Sequence, residues 1–436
     1  MSARLFDSVA ARLDRETSFL LDLTRSMVRI PTVNPKFEAD PEINREPDHQ
    51  DLLDTVLSDI GFKTTRSFPL EGRPNLTGDW AGDEERSLIL CGHVDVVPIG
   101  ERALWTVDPF GGEIKNDKLY GRGALDMKGG LAACIAACRA LRLEGVELAG
   151  RVSVHAVVDE EAGGFGAMDL VKRGQMAKAA IIAEPTWGVV NPSEGGLEWV
   201  RVTIRGKNAH AGWRYNSIYP QVPRNTRPEP GVNAIELGAR FIEAVRELER
   251  EWGMRKYHPD LPPGITTINP GVMLAGAGMG EDGRPKVTTN PAIIPDVCVM
   301  DFDLKFLPSE SAADVRREFE DFVHHWAQTN SWLRDNPPKV QWELGGLHFP
   351  PVDTPTDHPI VRSLVSNRKK LGRETDIAGF VAVSDAAHYA GAGATCVIYG
   401  PGGDGFHGID EYIEIPSLLE SAKIIAATIV DWCGTR

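Results

Sequence analysis

Short, largely apolar runs alternate with segments of helical periodicity over the first part of the chain. Residues 87–91, 151–158 and 179–183 are apolar at most positions, and residues 129–145 repeat apolar side chains with the period of a helix. Strands that are apolar on both faces are typical of parallel sheets covered by helices. Strands that alternate with helices indicate crossover connections. The sequence therefore predicts an α/β fold with a mostly parallel sheet flanked by helices.

The middle of the chain has a different pattern. Residues 196–347 combine half-exposed strand patterns with two charged amphipathic helices. A buried-strand pattern returns at residues 394–402, and proline and glycine cluster at both joins. We therefore predict one domain formed by residues 1–195 and 348–436, with a smaller α+β domain of residues 196–347 inserted into it.

The charge balance argues against two classes of partner. The chain has 47 Lys plus Arg and 62 Asp plus Glu, a net charge of -15, whereas nucleic acids and anionic membranes attract clustered basic residues. No stretch approaches the roughly 20 apolar residues of a membrane helix, and the start lacks a signal-peptide core. The six cysteines form no CxxC pair and are expected to be reduced, buried thiols. We predict a soluble cytoplasmic protein with a small-molecule substrate.

Side chains that can bind metal ions follow three of the apolar runs. His93 follows the first run, Glu160 and Glu161 follow the second, and Glu184 follows the third. Because the carboxyl ends of parallel strands lie at the same edge of a sheet, these side chains are expected to meet in one crevice. Several buried carboxylates are unfavourable unless a positive group lies beside them. A metal ion is one such group, and a buried Lys or Arg is the alternative.

Two glycine-rich loops contribute further candidates. Asp126 lies in GRGALDMKGG just before a predicted helix, and His407 lies in GPGGDGFHGIDEY after the last buried strand. A carboxylate in such a loop could bridge two cations. The combined set of imidazoles and carboxylates suits zinc, and it also suits cobalt or manganese.

Five segments, in order along the chain, resemble the signature segments of the co-catalytic dinuclear metallopeptidase and deacylase family. They are CGHVDVVP, GRGALDMKGG, VVDEEAGG, AEPT and FHGIDEY. The family includes acetylornithine deacetylase, succinyl-diaminopimelate desuccinylase, aminoacylase and the glutamate carboxypeptidases. The resemblance extends from about residue 15 to residue 425, and residues 196–347 correspond to the family's lid domain. It implies a hydrolase with two divalent metal ions, zinc first and cobalt or manganese as alternatives.

The resemblance also implies how the ligands are divided. His93 and Glu184 would bind one metal ion, and Glu161 and His407 would bind the other. Asp126 would bridge the two ions.

The resemblance assigns three further roles in catalysis. Asp95 would accept a hydrogen bond from the imidazole of His93 and so fix its tautomer. Glu160 would be the general base that takes a proton from the attacking water and returns it to the leaving nitrogen. His210, in the segment NAHAG, would reach the developing oxyanion from the lid of the partner subunit. The resemblance therefore implies a homodimer paired through the lid, and higher oligomers are also compatible with it.

The segments expected to recognise the substrate depart from the family pattern. Lys305 and Ala387 stand where the family often has an arginine for a substrate carboxylate, and lysine lacks the bidentate fork of arginine. Trp213, Arg214 and His388 are further candidates for substrate contacts, as is Lys305 itself. Trp213 would form part of an aromatic wall or a dimer contact. Arg214 would replace the missing carboxylate clamp. The same stretch offers additional aromatic and basic candidates, namely Tyr215, Tyr219, Arg224 and Arg227.

These features together predict a dinuclear metal-dependent hydrolase that cleaves a non-peptide carbon–nitrogen bond. The expected substrate is an N-acyl amino acid or a related small amide. An exo- or dipeptidase and a hydrolytic deaminase of an aromatic amine are alternatives on the same site. A two-metal phosphoesterase would need basic residues at the metals, for which Arg122 and Lys128 are the candidates. A non-catalytic metal-binding protein or a scaffold built by lid pairing would be an alternative of another class.

Overall fold

The computed structural model describes residues 1–214, 231–374 and 376–436. Within these ranges the helices are α1 Ala3–Arg15, α2 Thr17–Val28, α3 Glu46–Ile60, α4 Gly129–Leu143, α5 Phe165–Lys172, α6 Ala234–Arg255, α7 Ala312–Gln328, α8 Ser331–Asp335, α9 Pro359–Lys370, α10 Ala386–Gly391 and α11 Ile415–Cys433. The candidates Tyr215, Tyr219, Arg224 and Arg227 lie outside the described residues.

The strands of the same ranges include several very short ones. They are β1 Lys63–Leu70, β2 Arg73–Trp80, β3 Asp83–His93, β4 Glu113–Lys115, β5 Lys118–Tyr120, β6 Gly150–Val157, β7 Ala179–Ile182, β8 Val190–Glu194, β9 Gly196–Arg205, β10 Ala209–His210, β11 Ile268–Met279, β12 Pro285–Val287, β13 Ile293–Ile294, β14 Val297–Phe306, β15 Lys339–Trp342, β16 His348–Phe349, β17 Val352–Asp353, β18 Ile377–Phe380, β19 Thr395–Ile398, β20 Gly403–Asp404 and β21 Tyr412–Glu414.

The chain divides into two compact units. Met1–Glu194 and Pro350–Arg436 form the larger unit, and Gly195–Phe349 forms the smaller one. The metal-binding and lid functions assigned to these parts of the chain remain predictions.

The larger unit is built on a mixed sheet in the order β1, β2, β6, β3, β7, β19, β8 and β17. The central strands β6, β3, β7 and β19 run parallel to one another, which confirms the predicted α/β class. The strands β2, β8 and β17 join antiparallel, whereas β18 pairs parallel with β8. The strands β1 and β2 form a hairpin whose turn contains Gly72 at a φ of 71°. The longest parallel run therefore lies at the centre of the sheet, where the strands are apolar on both faces.

The smaller unit contains a sheet in the order β12, β11, β14, β9 and β15, with β16 also paired to β9. The helices α6 and α7 cover one face of this sheet. Phe241 of α6 lies 5.9 Å from Phe302 of β14, and Phe302 lies 6.4 Å from Phe319 of α7, between ring centroids. Burial alternates along the second half of β14, as expected for a sheet with one covered face.

Two expectations from the composition can be compared with the structure. All six cysteines are free and buried, as predicted for reduced core thiols. In the part of the chain that the structure describes, helices long and apolar enough to cross a membrane are absent.

Candidate metal centre

The parallel strands bring the predicted ligands to one edge of the sheet. His93 is the last residue of β3, Glu160 and Glu161 lie in the turn that follows β6, and Glu184 follows β7. These strands are adjacent in the sheet, since β3 pairs with both β6 and β7. The three loops therefore lie side by side at the carboxyl edge of the sheet, and the structure brings these predicted ligands together.

Asp126 lies between the two predicted histidines. Its Oδ1 is 3.2 Å from Nε2 of His93, and its Oδ2 is 3.2 Å from Nε2 of His407. Glu161 Oε2 lies 3.0 Å from the same nitrogen of His407, and Glu184 Oε1 lies 3.8 Å from Nε2 of His93. The five side chains thus form two groups of donor atoms that share one carboxylate.

The spacing of these atoms fits divalent cations. Ligand atoms bound tetrahedrally at about 2.0–2.1 Å from a zinc ion are about 3.3 Å apart. The separations in each group, from 3.0 to 3.8 Å, lie close to that value. Donor atoms of His93, Asp126 and Glu161 also lie within 4.8 Å of one another. The residues present therefore fit a site for two metal ions that share Asp126.

The hydrogen bond of His93 supports the same interpretation. Its Nδ1 lies 2.9 Å from the main-chain oxygen of Asp95 and 3.9 Å from the Asp95 carboxylate. The acceptor is therefore the carbonyl group rather than the predicted carboxylate. When Nδ1–H donates to this carbonyl, the Nε2 lone pair of a neutral imidazole faces the carboxylates of Asp126, Glu160 and Glu184. A divalent cation bound at this Nε2 would stabilise the arrangement.

Lysine and arginine do not supply this charge in the described part of the chain. The ion pairs of the clustered carboxylates there involve His93 or His407. Arg122 is buried and pairs with Glu411. Lys128 donates hydrogen bonds to the main-chain oxygens of Met27 and Ile30. The nearby basic residues are thus committed elsewhere, which disfavours both a buried Lys or Arg and phosphate binding.

The pKa values show how strongly the carboxylates and imidazoles interact. Burial raises the pKa of Glu160 and of Glu184 well above the ordinary value, and the buried carboxylate of Asp385 adds to both shifts. Hydrogen bonds that His407 donates to the carboxylates of Asp126 and Glu161 raise its pKa to about 10. Closely packed carboxylates in a site of low dielectric constant retain protons unless other positive charges stabilise their ionised forms. Divalent cations would provide that stabilisation.

Glu411 organises the loop that carries Asp126, a role that the sequence did not reveal. Its carboxylate is fully buried and accepts hydrogen bonds from the main-chain N–H groups of Gly123, Leu125 and Asp126, at 2.9–3.1 Å. It also forms an ion pair with Arg122 at 2.5 Å. The only sequence signal for this role was the position of Glu411 in the segment FHGIDEY. The groups that bind its carboxylate lie far away in the sequence.

We expect Glu411→Gln to destabilise the protein and to weaken metal binding. Removing one partner of a buried ion pair costs about 3–5 kcal/mol, because Arg122 would keep its charge without a counter-ion. Chemical denaturation should show a lower unfolding midpoint, and metal titration should show weaker binding. The control is Glu243→Gln, which breaks the exposed pair of Glu243 with Arg246. An unchanged midpoint in Glu411→Gln would contradict the proposed role of this carboxylate.

A second buried network holds the turn that carries Glu160. Asp159 is fully buried, has a φ of 72° and accepts hydrogen bonds from Arg73 at 2.5 Å and Lys36 at 2.6 Å. Arg73 also forms two hydrogen bonds with Glu46, each 2.7 Å long. These contacts stabilise a left-handed backbone conformation immediately before Glu160.

The Asp95 carboxylate contacts the same turn. Its Oδ1 accepts a hydrogen bond from the main-chain N–H of Glu160 at 3.2 Å, and its Oδ2 accepts one from Asn34 at 2.8 Å. Asn34 also donates to Asp159 at 3.1 Å. Asp95 therefore connects His93, through its carbonyl, with Glu160, through its carboxylate.

The predicted substrate contact His388 lies near the centre. It is buried in α10, and a Cβ atom at Gly164 would collide with its Nε2. Gly164 follows the turn of Glu160 and Glu161, so the imidazole packs against the base of that loop. A contact of His388 with substrate stays a prediction.

The other predicted contacts belong to the smaller unit. His210 is exposed, and its Nδ1 accepts a hydrogen bond from the N–H of Gly212 at 3.0 Å. A neutral His210 therefore carries its proton on Nε2, which makes that nitrogen a donor. Trp213 is 41% exposed, Arg214 pairs with Glu236, and the main chain of Lys305 is hydrogen-bonded within the sheet. The roles assigned to these four residues stay predictions.

Sequence comparison places the chain among known hydrolases. The family described as Peptidase family M20/M25/M40 matches residues 89–431. An N-formyl-4-amino-5-aminomethyl-2-methylpyrimidine deformylase from Bacillus subtilis is 33% identical over 98% of this chain and 98% of its own length. An enzyme of the same name from Halalkalibacterium halodurans is 30% identical, covering 99% of this chain and 98% of its own. A succinyl-diaminopimelate desuccinylase from Rhodospirillum centenum is 28% identical over 94% of this chain and 96% of its own.

Solved structures share the fold at low sequence identity. The aminopeptidase PepT from Bacillus cereus aligns with a TM-score of 0.70 and 20% identity, covering 95% of this chain and 98% of that one. Human carnosine dipeptidase 1 aligns with a TM-score of 0.65 and 16% identity, covering 98% of this chain and 99% of that one. These similarities establish the fold and confirm the predicted α/β class.

Proposed function

The chain belongs to the peptidase family M20/M25/M40, and on this basis we propose that it is a dinuclear metal-dependent deformylase of a heteroaromatic amine. The predicted family and the predicted cleavage of an amide carbon–nitrogen bond are both confirmed by the relatives, which are named deformylases and desuccinylases. The formyl group is proposed because the deformylases match nearly the whole chain at 33% and 30% identity. The replacement of family arginines by Ala387 and Lys305 agrees with a substrate that has no carboxylate.

The two groups of donor atoms would hold the cations. We assign His93 and Glu184 to one ion, Glu161 and His407 to the other, and Asp126 to both. Two divalent ions, zinc first and cobalt or manganese as alternatives, would polarise the formyl carbonyl and acidify a water molecule. The observation that carries this proposal is the shared Asp126 carboxylate, with one oxygen facing each histidine at 3.2 Å.

Glu160 would move the proton in the reaction. Its Oε2 lies 3.8 Å from Nε2 of His93, at the edge of the donor cluster. As the water oxygen bonds to the formyl carbon, Glu160 takes the water proton and then passes it to the nitrogen. The carbon–nitrogen bond breaks, which leaves formate and the free amine. Asp95 and Asp159 would keep the Glu160 turn in place during both transfers.

The proposal is tested with the purified full chain and added zinc, cobalt or manganese. The panel contains N-formyl-4-amino-5-aminomethyl-2-methylpyrimidine, N-succinyl-diaminopimelate and several dipeptides, and amine release is measured. We expect kcat/KM for the formamide to exceed that for the other compounds by on the order of a hundredfold. Preferred cleavage of dipeptides or of the succinyl compound would contradict the proposed substrate.

We also propose that His210 donates to the oxyanion in the active site of the partner subunit of a homodimer. Its Nε2–H is available for this purpose in the neutral tautomer, because Nδ1 accepts the hydrogen bond from Gly212. His210→Ala should lower kcat by about 10²–10³-fold without loss of metal, as expected for one oxyanion donor. His324→Ala, which removes an exposed histidine of α7, is the control.

Mixing variants tests the dimer directly. When subunits of His210→Ala and Glu160→Gln are unfolded, mixed and refolded, random pairing should restore about a quarter of wild-type activity. The restored site would combine an intact Glu160 with His210 from the partner. Absence of recovery in mixtures that have demonstrably exchanged subunits would show that His210 does not act across a dimer. A cytoplasmic location remains a prediction beside these proposals.

A further inference from the structure

Two large aromatic side chains lie exposed beside the candidate metal centre. Trp187 is 50% exposed and Phe406 is 44% exposed, and their rings meet edge to face with centroids 5.8 Å apart. The ring of Phe406 also lies 6.1 Å from the imidazole of His407. Single exposed aromatic residues are common on protein surfaces, but this pair is in mutual contact and adjoins a proposed ligand.

The position of Trp187 is fixed by several hydrogen bonds. Its indole N–H donates to the carbonyl of Gly403 at 2.8 Å, and its main-chain N–H donates to that of Pro401 at 3.2 Å. A Cβ at Gly402 would collide with the indole, so the ring rests directly on the main chain there. Trp187 also adopts a φ of 53°, a conformation that a bulky residue adopts only under constraint. The polar edge of the indole is therefore anchored, while the residue stays half exposed.

Both residues are close in sequence to proposed metal ligands. Trp187 follows Glu184 by three residues, and Phe406 immediately precedes His407. We infer that Trp187 and Phe406 form a platform on which the planar heteroaromatic ring of the substrate stacks. Stacking of such rings on an aromatic side chain is favourable and needs no charged group. This inference rests on the proposed function, since it assigns the ring of the amine to a surface beside the same site.

Matched substrates and variants test the platform. The ring substrate is N-formyl-4-amino-5-aminomethyl-2-methylpyrimidine, and the control substrate is N-formyl-cyclohexylmethylamine, which has a similar size and no planar ring. Trp187→Leu and Phe406→Leu should each lower the ratio of kcat/KM for the ring substrate over the control by about tenfold. Trp187→Phe should largely preserve this ratio, because it keeps an aromatic face and loses only the indole N–H. Phe68→Leu, at a residue 60% exposed on β1, is the surface control.

If Trp187→Phe lowered this ratio as much as Trp187→Leu does, the inference would be overturned. The hydrogen bond of the indole N–H, rather than the aromatic face, would then be what matters. Equal losses of kcat/KM for both formamides would also overturn the inference. The two side chains would then support the structure of the site rather than bind the ring of the substrate.

Calorimetry with the product amine, 4-amino-5-aminomethyl-2-methylpyrimidine, separates the inference from the proposed function. Weaker binding in Trp187→Leu, but not in Trp187→Phe, would support the platform even if the formamide were not hydrolysed. Hydrolysis with an unchanged substrate ratio would leave the proposed function standing and reject the platform. A wild-type protein that neither binds the amine nor cleaves the formamide would reject both.

Discussion

Replacement of Glu160 by Gln is expected to lower kcat by about 10³-fold, within the 10²–10⁴-fold range typical of general acid–base catalysis. The amide has nearly the same shape as the carboxylate but cannot accept the water proton. Main-chain contacts of this residue, such as the hydrogen bond from its N–H to Asp95, do not depend on its side chain and should persist. The substitution therefore removes the proton acceptor and leaves the surrounding turn intact.

The unfolding midpoint and the metal content show whether Glu160→Gln is correctly folded. Because burial raises the pKa of Glu160, its charged form is unfavourable in the folded protein, and a neutral side chain should not lower the unfolding midpoint. Bound metal should remain near the wild-type value. The neighbouring Glu161→Gln is the matched comparison, since Glu161 lies 3.0 Å from His407 and its loss should reduce metal content. Full turnover by Glu160→Gln would show that another group moves the proton.

The sequence could predict which of the proposed metal ligands follow strands. His93 and Glu184 stand at the ends of apolar runs, and the geometry of a parallel sheet is sufficient to bring such residues together. Asp126 and His407 lie in glycine-rich loops, and the order of the five motifs indicated the role that we propose for them. These predictions depend on local pattern and on a regular sheet, and both are properties that a sequence displays directly.

Other parts of the centre depend on contacts between distant segments. The ion pair between Arg122 and Glu411 joins residues 289 positions apart, and that between Arg73 and Asp159 joins residues 86 positions apart. Nothing in the local pattern of either segment identifies its partner, because the pairing exists only once both are buried together. The hydrogen bond of His93 shows the same limit, since the choice between carbonyl and carboxylate of Asp95 depends on backbone geometry.

The antiparallel edges of the large sheet were also missed. Apolar runs predict where strands lie but carry little information about direction, and the parallel interpretation holds for the central strands β6, β3, β7 and β19. The strand β1 is exposed at several positions and turns back through Gly72 into β2, which sets its direction. The exposed aromatic pair was missed for another reason. Trp187 and Phe406 are 219 positions apart, and each alone is an ordinary surface residue.

Replacement of Asp126 by Ala is expected to abolish detectable turnover and to remove both metal ions. Each oxygen of this carboxylate faces a different histidine at 3.2 Å, so a single substitution deletes a donor atom from both groups. Loss of a non-bridging ligand such as Glu184 would weaken one group only. Both ions also lose the negative charge that partly offsets their mutual repulsion. The expected loss of kcat therefore exceeds that of Glu160→Gln, and added metal should restore little activity.

Metal analysis after gel filtration measures this outcome. Bound metal should fall from two equivalents per chain to fewer than about one half of an equivalent, because both ions lose the ligand that they share. The comparison variant is Asp357→Asn, which alters an exposed carboxylate of the same unit that pairs with Arg362. Glu411 holds the main chain of the Asp126 loop, so the backbone should keep its position when the side chain is removed. If Asp126→Ala retained two equivalents of metal, the carboxylate would not be the bridge between the two ions.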